Sequence, residues 1–401
     1  MSKEEIQIYG FRWIVLLLFM FTNITLQILW ITYASVTSYA IAFYGVEEIE
    51  IFLLSGIFMI VYIPVTFLAS WSINKYDFKI GAGIGAILAG IFGFLRFLAG
   101  PSFMLVLIFQ IGIAIGQPFV MNSVTKMSNN WFPKSERTTA TGLGMIAMFL
   151  GIAMGLVLTP FIVEAFNFQA MILIYGLLAL SSGLLFLKFV KNKPPTPPST
   201  DRTIEKVFIF DGMKQLFTNK YFAILVIIFF FGLGIFNMIT TYIEVIVIPR
   251  GFNSVYAGIL GGLMLLGGII GCVVISELSD KYQKRKILLI TSIFIATISL
   301  YCIAFTRDGT LLLIFGFLFG FGLLSASPVA LEYAVDVTSP VPEASSNGIL
   351  MMVGQIGGII FIFGFEGLKD STGDYLPALL LQAILLTIVF ILILFLKERE
   401  K

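Results

Sequence analysis

A dozen apolar stretches, each long enough to cross a lipid bilayer as a helix, follow one another along this chain. One polar segment near residue 200 divides them six and six. A bilayer core needs about 20 helical residues. The stretches fall at 12–40, 49–73, 80–99, 102–129, 138–164, 168–189, 220–248, 255–279, 286–306, 310–335, 344–367 and 374–396. With 58% hydrophobic and 12% charged residues, the chain cannot clothe a water-facing globule. It reads as an all-α, polytopic membrane protein of twelve transmembrane helices.

Twelve crossings put both termini on one side. If that side is the cytoplasm, 21 Lys/Arg lie inside, and Arg96, Arg250, Arg307 and Lys369 lie outside. Those 4 complete the 25 in the chain. The positive-inside rule predicts cytoplasmic termini and a multi-pass protein of the plasma membrane. The net charge of +2 reflects this asymmetry and points to no nucleic-acid partner. The first apolar run is too long for a cleavable signal and lacks a small-residue cleavage site.

Histidine is absent. This removes the commonest metal ligand, the usual neutral-pH proton carrier and the preferred axial ligand of haem. Cys272 and Cys302 lie within apolar stretches and read as small core residues. No His/Asp cluster or nucleophile–base spacing is visible. The expectation is no catalytic group, no metal, no cofactor and no enzyme. The expected partners are a small-molecule substrate and the lipid bilayer, with the chain a monomer.

The halves, 1–190 and 220–401, are joined by a tether at 191–219. It opens Lys-Asn-Lys-Pro-Pro-Thr-Pro-Pro, a stiff non-helical spacer. Apolar and charged residues then mix over Asp201–Phe217, which predicts an amphipathic surface helix. The halves repeat at an offset of about 206 residues. Ser72-Ile-Asn-Lys-Tyr76 matches Leu278-Ser-Asp-Lys-Tyr282, and Trp131–Glu136 followed by Gly142 matches Ser339–Glu343 followed by Gly348. Same-direction halves fit parallel repeats about an axis normal to the membrane. Paired small residues, Gly112/Gly116, Gly151/Gly155, Gly258/Gly262, Gly267/Gly271 and Gly316/Gly320, predict close helix packing.

Polar residues inside a bilayer are costly and mark function by default. Asn23, Gln27 and Trp30 share one face of the first span. Gln110 and Gln117 share a face of the fourth, with Pro118 beside Gln117. Asn237 and Tyr242 lie in the seventh and Gln355 in the eleventh. No acid sits mid-span in spans 1, 4, 5, 8 or 11. Such a lining of amides and aromatics suits a cation held on π faces and argues against a dedicated proton path. Glu332 and Asp336, one turn apart, are expected to form a gate with Lys126 or Arg137. Asp280, Lys281 and Arg285 are further gating candidates. In the first half Asn74 stands where Asp280 stands in the second.

Asp280-Lys-Tyr-Gln-Lys-Arg-Lys286 resembles the loop signature of major facilitator transporters, with Gln283 in place of its glycine. Pro328–Pro340, Glu343, Ser346-Asn-Gly348, Trp30–Tyr33, Phe43–Val46, Leu54-Ser55, Tyr62–Pro64 and Ala69–Trp71 are similar to the feline leukaemia virus subgroup C receptor-related branch of that superfamily. The resemblance implies the major facilitator fold, two pseudo-symmetric six-helix bundles, and choline, ethanolamine or haem among its substrates. It implies a pocket with Trp30 on helix 1 and Gln355 on helix 11. The family's second Gln, on helix 5, falls at Phe149, and its cage Tyr, on helix 7, at or near Ile239. Two of the four positions therefore depart. Phe149 and Gln355 are themselves repeat mates, since 355 − 149 = 206.

Overall fold

The computed structural model describes residues 8–198, 216, 218–282, 284–339, 341, 343–372 and 375–397. The amphipathic segment expected at 201–217 lies, apart from Leu216, outside these residues, as do Gln283 and the side chain of Asp280. Among the described residues, twelve helices are long and apolar enough to cross a membrane. They are Phe11–Ile31, Glu48–Tyr76, Phe78–Leu98, Phe103–Met121, Arg137–Ala165 and Phe168–Phe189 in the first half (spans 1 to 6). In the second half (spans 7 to 12) they are Lys220–Thr241, Ser254–Tyr282, Arg285–Phe305, Gly309–Thr338, Glu343–Thr372 and Leu376–Leu394. The chain is a multi-pass membrane protein.

Three spans predicted as continuous are broken. Span 1 stops at Ile31 and resumes as Thr37–Tyr44. Thr32 donates back to the Ile28 carbonyl at 2.7 Å, and Thr37 to Tyr33 at 3.1 Å. Hydroxyls that compete for backbone carbonyls weaken a helix locally. Span 7 stops at Thr241 and resumes as Ile243–Val247 and a short turn, Ile248–Arg250. Here Thr240 donates back to Phe236 at 2.8 Å. Span 4 stops at Met121 and resumes as Val124–Trp131. Pro118 withholds a helix bond, Ser123 Oγ bonds Phe119, and Asn122 Nδ2 reaches across to Thr66 and Ser70 of span 2.

Both described termini lie at one end of the bundle, here the terminal end. The opposite, far end carries the 1–2, 7–8 and 11–12 connections. The repeat is visible in the packing. A Cβ on Gly151 would meet the Ile24 carbonyl oxygen at 2.6 Å, and one on Gly357 would meet that of Phe230 at 2.0 Å. Both pairs are related by 206, as 357 − 151 and as 230 − 24. Spans 8 and 10 pack tightly where Gly320 leaves room for the Met264 backbone. In a bilayer, where lipid is as apolar as leucine, such contacts are what hold helices together. The halves meet along two seams, span 5 against span 8 and span 2 against span 11.

Candidate functional site

At the far end the halves are fastened together. Glu244, buried just past the span 7 break, accepts from the Ser38 backbone N–H at 3.0 Å and from the Ser38 hydroxyl at 2.8 Å. Ser254 Oγ donates to the same carboxylate. Lys369 at the end of span 11 pairs with Glu48 at the start of span 2, and with Glu366 at 3.0 Å. Tyr375 donates to Glu48 at 3.3 Å. Burial, reinforced by the Glu48 carboxylate, pushes the Tyr375 phenol up to about 12, so it stays a donor. Beneath these bonds Phe52 of span 2 lies 3.8 Å, centroid to centroid, from Tyr242. Tyr242, expected in a substrate pocket, is instead a fully buried part of this closure. Its hydroxyl donates to the Ile362 carbonyl at 2.8 Å and its ring lies 4.5 Å from Phe365.

Below the closure lies the seam between spans 2 and 11. Trp30 is buried against span 2, its indole N–H donating to the Ser55 carbonyl at 3.2 Å. One turn further from the far end, Met59, Gly358 and Asn237 converge. A Cβ on Gly358 would come within 2.5 Å of the Met59 sulfur and 2.8 Å of Asn237 Nδ2. Asn237 is 4% exposed and its Nδ2 has no hydrogen-bond partner among the described residues. Gln355, three residues before Gly358 on span 11, is half-buried and makes no hydrogen bond among the described residues. Four residues along span 2 and three along span 11 separate the levels of Trp30 and Gln355 by roughly 10 Å at helical rise.

The other predicted lining residues divide. Phe149 is half-buried, two turns from Leu156 on one face of span 5; Leu156 meets Gly258 and Gly261 of span 8. Phe149 therefore sits on the 5–8 seam as Gln355 sits on the 2–11 seam. Gln117 is 8% exposed and makes no hydrogen bond among the described residues. Asn23 and Gln27 are spent inside the first half. Asn23 Nδ2 donates to the Gly144 carbonyl at 3.0 Å, and Gln27 donates to Asn23 at 3.4 Å. Ile239 is buried.

Among the described residues, the ion pairs seen at the terminal end do not join span 10 to the first half. Glu332 and Asp336 pair, among these residues, with Arg285, Glu332 at 3.1 Å, in place of the expected gate with Lys126 or Arg137. Arg137 Nε donates to the Phe132 carbonyl at 3.2 Å, and Lys281 lies 5.5 Å over the Tyr282 ring. Arg12 pairs with Glu136 at 2.9 Å.

Two residues escaped the sequence reading. Asp77, three places beyond Asn74, is the acid of the first-half loop. It adopts a left-handed φ of 73°, caps span 3 through the Phe78 N–H, accepts from Asn130 at 2.6 Å and pairs with Lys193 at 3.0 Å. Burial works against its ionisation. Lys193, Asn130 and the Phe78 N–H outweigh burial and hold the carboxyl below its ordinary range. Arg96, counted among outer-loop charges, lies in the last turn of span 3 and is wholly buried. The clue in each case was a charge placed where an apolar run meets a turn.

The Major Facilitator Superfamily model matches residues 13–362. Solute carrier family 49 member A3 of Xenopus tropicalis is 31% identical over 92% of this chain and 80% of its own length. Choline/ethanolamine transporter flvcr2b of Danio rerio is 26% identical over 96% of this chain and 84% of its own. The fold matches the crystal structure of a bacterial homologue of the human lysosomal transporter Spinster, in an inward-facing and unoccupied conformation. That match has a TM-score of 0.76 at 15% identity, covering 98% of this chain and 100% of the other. Twelve spans, a 206-residue repeat and these likenesses converge: the chain belongs to the Major Facilitator Superfamily, in its feline leukaemia virus subgroup C receptor-related branch.

Proposed function

We propose that this transporter moves a small organic amine of the choline or ethanolamine type by facilitated uniport in the plasma membrane. Its two halves, 1–190 and 220–401, rock about the fixed seams, with the termini and the 191–219 tether cytoplasmic. The observation that carries this reading is the seam under the shut far end. Trp30, Asn237 and Gln355 line it at successive levels, and among the described residues no carboxylate bonds any of them. An indole face and neutral amides favour an amine with a hydroxyl, and the names of the choline/ethanolamine relatives support the same class. Phe149 at the family's Gln position adds an apolar wall. When the terminal end closes, Lys126 and Arg137 meet Glu332 and Asp336, with Asp280 and Lys281 biasing that state. In binding assays on purified protein, Trp30→Ala raises the apparent Kd for choline roughly tenfold, and Trp30→Phe retains part of the affinity. Unchanged amine binding by folded Trp30→Ala defeats the reading.

One observation favours a second reading, proton-coupled transport of an organic anion or export of a larger solute. Glu244 is a buried carboxylate in the closure, and among the described residues no lysine or arginine pairs with it. Transport abolished both by a protonophore and by Glu244→Gln would select that reading over uniport.

A further inference from the structure

The guanidinium of Arg96 is 0% exposed inside the first half, and no carboxylate contacts it among the described residues. A charge so placed is costly unless something nearby carries the opposite sign. Its neighbours supply partial charges only. Nη1 donates to the Leu29 carbonyl at 3.3 Å and to Gln110 Oε1 at 3.1 Å. The Tyr33 ring lies 5.7 Å from the guanidinium carbon. Leu29 is in the last turn of span 1 before its break, where unsatisfied carbonyls give the helix end negative character. Arg96 thus caps the end of span 1, just before its break.

Gln110 extends the grip. Its Nε2 donates to the same Leu29 carbonyl at 3.3 Å and to the Leu54 carbonyl of span 2 at 3.1 Å. The next residue along each of those helices is Trp30 and Ser55, and these two bond each other. One brace therefore fixes the backbone on both sides of the Trp30–Ser55 hydrogen bond. We propose that Arg96, acting through Gln110 and the Leu29 and Leu54 carbonyls, is the positioning residue that sets the indole of Trp30 at the substrate seam. The functional consequence rests on the proposed role of Trp30, whereas the positioning itself does not.

The two parts are tested separately. The full chain, labelled with 5-fluorotryptophan, gives fluorine resonances for its four tryptophans, and Trp30→Phe identifies the Trp30 signal. Arg96→Lys keeps a cation but loses the planar fork. Gln110→Glu gives Arg96 a carboxylate partner but removes the amide donor to Leu29 and Leu54. Each variant shifts or broadens the Trp30 signal and leaves those of Trp13, Trp71 and Trp131 in place. The choline Kd rises by roughly three- to tenfold, with Arg96→Lys the milder, the scale of one or two displaced polar contacts. If Arg96→Lys does not fold, Gln110→Glu decides alone, because it leaves no charge unpaired. A Trp30 signal unmoved, or moved no more than the other three, overturns the positioning role. A moved signal with unchanged choline binding upholds the positioning and defeats the choline reading.

Discussion

The two halves make the same junctions with donor and acceptor exchanged. At the far end of the first half, an arginine from span 3 grips the end of span 1: Arg96 on the Leu29 carbonyl. In the second half, an arginine just past span 7 grips the end of span 9: Arg250 on the Ile303 carbonyl at 2.7 Å and on Ala304 at 3.4 Å. The repeat places Cys302 where Arg96 would recur (302 − 96 = 206) and Gly316 where Gln110 would (316 − 110 = 206). The terminal end repeats the exchange. The loop acid Asp77 meets the amide Asn130 in one half, and the cation Arg285 meets the acid Asp336 in the other. A pseudo-symmetric fold conserves which helices must be tied, while the chemistry of each tie is free. The difference also has a mechanical side. The span 1 break is braced deep within its own half, and the segment beyond the span 7 break is held partly across the halves, through Glu244 and Ser38.

The sharpest test of this contrast sets the two arginines against each other. Arg96→Ala empties a buried site and strands the Gln110 acceptor, at a cost of about 3 kcal/mol. Arg250→Ala, at a partly exposed site, costs about 1 kcal/mol. Thermal unfolding in detergent compares them, and equal losses would erase the distinction between a deep and a peripheral tie. The glycine mates come next. A Cβ at Gly357 would be 2.0 Å from a backbone oxygen, against 2.6 Å at Gly151. Gly357→Ala should cost about 2–3 kcal/mol and Gly151→Ala about 1–2. The reverse order would mean that the first-half interface is the stiffer one. Glu48→Gln removes one bond between the halves, worth about 1 kcal/mol. Thiol labelling of a Ser55→Cys variant should then speed up roughly fivefold. No change would place the hold at Glu244 alone. Asp77→Asn is the mildest, about 0.5 kcal/mol. Because the folded Asp77 value lies below the unfolded one, its contribution is complete above about pH 3.9 and fades as pH falls further. A stability difference between wild type and Asp77→Asn that vanished already at pH 5 would contradict the Asp77–Lys193 tie.

The twelve spans and their six-and-six repeat were legible because bilayer length and the 206-residue offset are properties of composition and order. The five glycine pairs were legible for the same reason, since a residue without a side chain at four-residue spacing is a close-packing signal wherever it falls. The breaks in spans 1 and 7 were hidden, because Thr32–Ser38 and Thr240–Ile243 stay apolar enough to prolong a hydropathy run while their hydroxyls and β-branches undo the helix. Arg96 was misread because its place near the outer end of the 80–99 stretch puts it among the outer charges, and sequence does not tell whether such a side chain turns outward or into the bundle. Asp77 was missed because the loop acid had moved three places from the position its repeat mate suggested. Of the candidate site, Trp30, Asn237 and Gln355 lie along one seam, whereas Tyr242, Asn23 and Gln27 proved to hold helices together. Sequence position on a helix face does not reveal which polar group finds a partner inside its own bundle.

The 206-residue repeat has a consequence for how such a molecule can diverge. In a two-fold dimer of identical subunits, residues facing each other across the axis are the same residue twice, so a lysine there would face a lysine. Covalent fusion lifts that constraint. Lys126 and Glu332 hold equivalent places in the two halves, since 332 − 126 = 206, and they carry opposite charge. A single chain holding both copies can mutate one without the other and turn a self-repelling position into a complementary one. Gene fusion thereby opens a route to attraction at the axis that no homodimer of the same half could follow.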